Sequence, residues 1–369
     1  MKRFKARFDV TTVPTLTAYF EAFPPADGDF ILTNEFLFEA YIKPLNLPVG
    51  SLFIEQFGRG EPTDEMVDRI RQNLPAGVRH MIAVGGGSVM DIAKMLSVKA
   101  GDSTRDFFDG VAPLRQFTVT AIPTTAGTGS EVTNAVSCYL THLKTKRGIN
   151  HDLLYPEQSV LIPELMSGLP YRFFITAAVD ALVHAMESYL SPQASAHSML
   201  FSQEAIRLLL RGFVKMEEKG LEARSQDYGD YLLASNYAGL AFCSAGCAAV
   251  HALSYPLGGN YHIPHGEANQ LVFAATFKLY LEKKPQGRIS QLKTLVAEYL
   301  NTTADQAFER LFGLLNQLGT IKPLREYGVE AAVLPEMAAN VYQNQTRLLA
   351  NNYVPISEAE MLAIYQSIY

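Results

Sequence analysis

The chain has 369 residues, a net charge of −6 and only 18% charged residues. One hydrophobic core rarely grows past about 250–300 residues, so two domains are expected. At 48% hydrophobic the composition excludes a disordered, collagen-like or coiled-coil chain, and a net negative chain without a basic stripe is not a nucleic-acid binder.

Three cysteines, Cys138, Cys243 and Cys247, are too few for a disulfide framework and point to the reducing cytoplasm. The basic start MKRFKARFDV has no apolar run behind it and does not read as a signal peptide. The most apolar stretch, residues 239–253, is shorter than the ~20 residues of a membrane span and contains His251, so no membrane partner is expected.

Residues 30–33, 51–54, 81–84 and 118–122 read as short buried strands. Helical patterns lie between them at 63–73 and 88–99. This alternation predicts a mostly parallel, doubly wound sheet. Residues 135–140 and 147–150 flank a polar turn and predict a hairpin. After Pro163 the texture becomes helical, with segments at 176–190, 196–219, 228–249 and 270–282. The expected division is an α/β domain over 1–165 and an all-α domain over 166–369.

Two loops follow predicted strands. Residues 85–94, GGGSVMDIAK, open a helix. Glycines there admit a phosphate to the backbone, and a helix N-terminus attracts it. Ser88 and Asp91 also have the spacing of a capping box, so a plain helix cap explains the same residues. Residues 123–131, PTTAGTGSE, offer the hydroxyls of Thr124, Thr125 and Thr128. Ligands of open α/β sheets bind at the carboxyl ends of the strands, where both loops would lie.

Five of the eight histidines, at 184, 197, 251, 262 and 265, fall within one stretch of the second half. Asp180 and His184 are four apart in an apolar helical pattern, close enough to share a metal. A turn containing Pro256, Gly258, Gly259 and Pro264 would bring His251 and His265 together. One carboxylate and three imidazoles suit Fe²⁺ or Zn²⁺ better than Mg²⁺ or Ca²⁺. His197 reads as an ordinary histidine, and Cys243 and Cys247 as small residues packing a helix.

The motifs GGGSVMDIAK, PTTAGTGSE, VDALVHAMES and HALSYPLG…HIPHGEAN together resemble those of the iron-containing, metal-dependent alcohol dehydrogenases, over nearly the whole length. The resemblance implies a Rossmann-like NAD or NADP domain, a helical domain and a divalent metal in the cleft between them. This is the architecture shared with dehydroquinate synthase. It also implies that Asp180, His184, His251 and His265 are the metal ligands. Gly86, Gly87 and Ser88 would contact the pyrophosphate. Thr124, Thr125, Thr128 and Thr133 would line the cofactor cleft with Asp91, and Lys146 would lie near a ribose.

Two departures stand out. Tyr255 occupies a position where the family often has a histidine near the nicotinamide, which makes Tyr255 or His262 the candidate proton relay. Asn34 stands where NAD-preferring members often carry an aspartate for the adenosine ribose. The implied reaction is metal-assisted hydride transfer between a primary alcohol and an aldehyde, in a homodimer. The resemblance extends to a branch that oxidises the C8 hydroxyl of 3-deoxy-D-manno-octulosonate (Kdo) in lipopolysaccharide biosynthesis, for which Lys144 or Arg147 would offer a cation. The alternatives are a dehydrogenase of small linear alcohols or polyols, a dehydroquinate synthase-like lyase, and a metal- or nucleotide-binding sensor.

Overall fold

The computed structural model describes every residue except 1, 2, 8, 59, 144 and 320, so Lys144 lies outside the described residues. The chain divides into two compact units. One is Ala6–Leu169; the other is Pro170–Tyr369 with the described residues of Met1–Lys5.

The first unit is built on a six-stranded parallel sheet. Its strands are β1 (Val10–Thr12), β2 (Asp29–Thr33), β3 (Gly50–Phe53), β4 (His80–Gly85), β7 (Thr118–Pro123) and β10 (Gln158–Leu161), in the spatial order β1-β10-β7-β4-β2-β3. The central strand β4 is apolar at successive positions because both its faces are covered. Met81 and Ala83 pack with Ile92, Leu96 and Ile70 on one side; Ile82 and Val84 pack with Leu16, Tyr19 and Ile122 on the other. Two short antiparallel pairs complete the unit. These are β5 (Val98–Lys99) with β6 (Leu114–Arg115), and the expected hairpin of β8 (Ala135–Leu140) with β9 (Thr145–Asn150).

The helix after the glycine loop runs Gly87–Leu96 and stops short of the expected residue 99, because Val98 and Lys99 pair with β6. Its N-cap is Gly86, and no side chain caps it. The capping-box expectation for Ser88 and Asp91 is therefore corrected. Ser88 sits inside the first turn, its hydroxyl 3.4 Å from the Gly60 carbonyl, and Asp91 bonds elsewhere.

The second unit has no strand among its described residues. Helices Ala196–Lys219, Tyr171–Leu190 and His265–Lys283 follow the expected pattern, the last two starting five residues early. Tyr171–Leu190 is long and apolar enough for a membrane span, but 89% of that window is buried inside the protein.

Two expectations need correction here. The helix expected over 228–249 ends at Ala245, and a new one, Ala249–Tyr261, leaves at 106° after Gly246. Gly246 has φ +77°, where any other residue would be strained, and a Cβ there would also force the Asn351 amide, 2.1 Å away, to shift. Pro256, Gly258 and Gly259 lie inside the second helix rather than in a turn. Burial of Val250, Leu253 and Leu257 outweighs the poor propensity of these residues. The true turn is His262–Pro264, opened by His262 in the left-handed region at φ +55°.

Candidate active site

The helix Tyr171–Leu190 is buried on nearly all sides from Phe174 onward, so Asp180 and His184 project into protein. Both lie on one face, with Asp180 Oδ2 and His184 Nδ1 3.9 Å apart. His251 is delivered by the helix after the Gly246 corner, and its Nε2 lies 3.8 Å from Asp180 Oδ1. His265 opens the next helix, with Nε2 3.9 Å from the same oxygen. One atom from each residue lies within 4.8 Å of the others.

Close approach of the His265 helix depends on Gly266. A Cβ at that position would stand 2.2 Å from the Thr176 carbonyl oxygen and 3.3 Å from Asp180 Cβ. Glu267 ties the same turn down. It is buried and accepts from Arg172 at 2.9 Å and from the Tyr327 hydroxyl at 2.6 Å. Burial, and then this bond to Glu267, push the Tyr327 phenol well above its ordinary pKa.

Side chains that the sequence reading passed over set the orientation of the ligands. Glu187, one turn beyond His184, is fully buried and accepts three hydrogen bonds. They come from Ala248 N–H (2.9 Å), Val250 N–H (2.7 Å) and His251 Nδ1–H (2.7 Å). It thus caps the His251 helix and fixes that imidazole's tautomer. Asn269, one turn after His265, donates to Asp180 Oδ1 at 2.6 Å. The spacing of Glu187 from His184 and of Asn269 from His265 was the available signal. Phe242 stacks on His184 with ring centroids 4.4 Å apart.

The donor set fits a divalent metal. His251 Nε2 is buried without a hydrogen-bond partner and faces a buried carboxylate, an arrangement that is costly unless a cation joins the two. Asp180, His184 and His251 are 4–6% exposed, whereas His265 is 26% exposed, so the open side of the cluster is the His265 side.

Cys247 lies in the corner rather than in a helix, with one candidate ligand atom each from Cys247, Glu187 and His251 within 4.8 Å of one another. Burial pushes its thiol up, but His251 and His184 beside it outweigh that and bring its pKa to about 7. Tyr255 is one turn after His251, its ring 6.4 Å from that of His265. His262 is the exposed cap of the helix, outside the cluster, and His197 is exposed and stacks on Phe4.

In the first unit, β4 ends at Gly85 and β7 at Pro123, paired in register, so the glycine and threonine loops leave the sheet side by side. The uncapped amides of Gly87–Leu96 and the bare Cα of Gly86 and Gly87 fit a pyrophosphate. A Cβ at Gly87 would meet Thr128 at 2.7 Å. Thr125 and Thr128 are partly exposed, and Thr124 is buried.

Asp91 and Thr133 are committed to the protein itself. Asp91 accepts from Ser130 Oγ at 2.5 Å and Ser137 N–H at 3.0 Å. Thr133 is 1% exposed and accepts from the Lys94 ammonium at 3.3 Å. Lys94, fully buried, also donates to the Ser130 carbonyl and hydroxyl at 3.0 and 2.7 Å. Lys146 donates to Glu61 at 2.7 Å, and Arg147 lies 4.0 Å from Asp109.

A nucleotide-binding α/β unit and a buried Asp–His₃ cluster define a metal-dependent oxidoreductase. Residues 11–163 match the iron-containing alcohol dehydrogenase family, and residues 174–369 match the C-terminal model of the Fe-containing alcohol dehydrogenase family. The chain belongs to the iron-containing alcohol dehydrogenases, oxidoreductases that act on CH–OH groups with a divalent metal and NAD(P).

It is 45% identical to the 4-hydroxybutyrate dehydrogenase of Clostridium kluyveri over 371 residues, covering all of both chains. It is 34% identical to long-chain-alcohol dehydrogenase 1 of Geobacillus thermodenitrificans over 300 residues, 78% of this chain and 74% of that one. Among solved structures, the NAD⁺ complex of sulfoacetaldehyde reductase from Bifidobacterium kashiwanohense superposes with a TM-score of 0.83 at 22% identity. It covers 100% of this chain and 98% of that one and supports the fold.

Proposed function

We propose that the protein interconverts a short ω-hydroxy carboxylate of the 4-hydroxybutyrate type and the corresponding aldehyde, with NAD as hydride acceptor. The observation that carries this reading is the 45% identity to a 4-hydroxybutyrate dehydrogenase across both full lengths. No sugar-acid oxidiser is among the relatives above, so Kdo becomes the contrasting substrate rather than the favoured one.

Asp180, His184, His251 and His265 would hold Fe²⁺ or Zn²⁺. When bound, such an ion acts as a Lewis acid that lowers the pKa of an alcohol hydroxyl. The chain's own residues do the rest. Asn269 and Glu187 orient Asp180 and His251. Phe242 walls one side against water. Tyr255, beside the partly exposed His265, carries the hydroxyl proton outward; its ring lies 6.4 Å from that of His265, which supports it over the outlying His262. Gly86, Gly87 and Ser88 bind the pyrophosphate, and Thr125 and Thr128 line the cofactor site. Three histidines with one aspartate fit this reading better than a dehydroquinate synthase-like lyase, whose set has a glutamate and two histidines. A cytoplasmic homodimer belongs to the same reading, and light scattering tests the dimer.

The deciding experiment follows nicotinamide absorbance with the iron-loaded enzyme. 4-Hydroxybutyrate should give kcat/KM at least about tenfold above 1-butanol, because a matched carboxylate contact adds a charge-assisted bond. Equal rates with 1-butanol, or turnover of Kdo alone, overturn the proposal.

A further inference from the structure

Asn34 at the end of β2 removes the carboxylate that dinucleotide folds use to select a free ribose 2′-hydroxyl. The structure returns one from the neighbouring strand. Glu55 lies just past β3 and turns its side chain back over the end of β2. Its Oε1 accepts from Asn34 Nδ2 at 2.7 Å, and its Oε2 accepts from the Glu35 N–H at 3.3 Å. Both oxygens are thereby fixed, while the residue stays only half-buried and within reach of a ligand.

The register places this carboxylate relative to the phosphate loop. Thr33 of β2 pairs with Val84 of β4 on one side and Phe53 of β3 on the other, so β2 and β3 end level and β4 runs one residue further. Gly86 and Gly87 follow β4 directly, and β2 is the adjacent strand. Adjacent strands are roughly 5 Å apart, so a group over the end of β2 is about one sugar away from a pyrophosphate held at Gly87. In doubly wound folds the adenosine ribose lies there. The opposite neighbour, β7, ends in the uncharged run Pro123–Gly129.

We propose that Glu55 is the specificity-determining residue for the cofactor. Its carboxylate, held by Asn34, accepts from the ribose 2′-hydroxyl of NAD and repels the 2′-phosphate of NADP. The two residues share a task that one aspartate would otherwise perform, and Asn34 is a positioning residue for Glu55. The proposal rests on the NAD(P) reading of this unit, and its test separates the two.

Binding of NADH and NADPH is followed by nicotinamide fluorescence without any alcohol substrate, on the wild type, Glu55→Gln and Asn34→Ala. The wild type should bind NADH at least about thirtyfold more tightly than NADPH, since like charges placed together weaken binding strongly. Glu55→Gln should narrow that ratio at least about tenfold, chiefly by tightening NADPH. Asn34→Ala, which frees the carboxylate, should narrow it less. An unchanged ratio in Glu55→Gln overturns the assignment to Glu55 and leaves nucleotide binding intact. Failure of the folded wild type to bind either nucleotide overturns both this assignment and the cofactor reading. Because Glu55 is half-exposed and Gln is isosteric, the melting temperature of Glu55→Gln should match the wild type, and a match excludes a folding explanation for its changed ratio.

Discussion

Glu187 accepts the Nδ1 proton of His251 at 2.7 Å, and that bond turns Nε2 toward Asp180, 3.8 Å away. The same carboxylate holds the Ala248 and Val250 amides, so ligand orientation and helix start depend on one buried group. Partners of metal-bound imidazoles of this kind typically change affinity 10–100-fold when altered. Glu187→Gln should therefore weaken Fe²⁺ or Zn²⁺ binding by about 10–100-fold in a competitive chelator titration. Unchanged affinity would show that the carboxylate only caps the helix.

His265 is the one partly exposed member of the four. His265→Ala leaves three ligands and should yield protein with little bound metal by elemental analysis after dialysis, and with no dehydrogenase activity. Retention of both metal and turnover would refute the cluster.

Acid should remove the metal from the wild type in a graded way. Imidazole binds metal only when deprotonated, and its ordinary pKa is about 6.5. Protons compete with a metal ion for any imidazole ligand, so affinity must drop as pH decreases and recover on back-titration. Metal content measured between about pH 8 and pH 5 tests the sign. Loading that rises toward acid would exclude histidine ligation.

Gly266 has no room for a methyl group, because Thr176's carbonyl oxygen would lie 2.2 Å from it. Gly266→Ala should push the His265 helix away from Asp180 and destabilise the fold by about 1–3 kcal/mol. Urea unfolding and metal content should fall together. A stable, fully loaded variant would contradict the packing described.

Tyr255→Phe removes a hydroxyl beside His265 without touching a ligand. Metal content should be unchanged, while kcat falls by about 10²–10⁴ if the phenol carries the proton. The pH dependence of the residual rate should change as well. A kcat and pH profile equal to wild type would transfer the role to another group.

Much of the first unit was legible because its central strands are buried on both faces and therefore read as continuous apolar runs. Strands β1 and β10 were not legible. The first is Val-Thr-Thr, and the two meet as neighbours from opposite ends of the unit. In the second unit the four ligands were visible as histidines and an aspartate in motif positions. The path that joins them was not. The corner at Gly246 lies in small apolar residues with no polar turn signal, and Pro256 sits in a helix that packing sustains. In sequence Glu187 and Asn269 show only their one-turn spacing from His184 and His265, and it is burial that separates them from solvated surface residues.

The buried ammonium of Lys94 has a consequence for the two loops at the end of the sheet. By bonding Ser130 and Thr133 from a helix that begins at Gly87, it bolts the threonine loop to the glycine loop before any ligand arrives. The two loops behave as halves of one mould set during folding. Little loop freedom is left to be lost if a nucleotide binds as proposed, so this edge of the sheet is preorganised by a side chain that is itself fully buried.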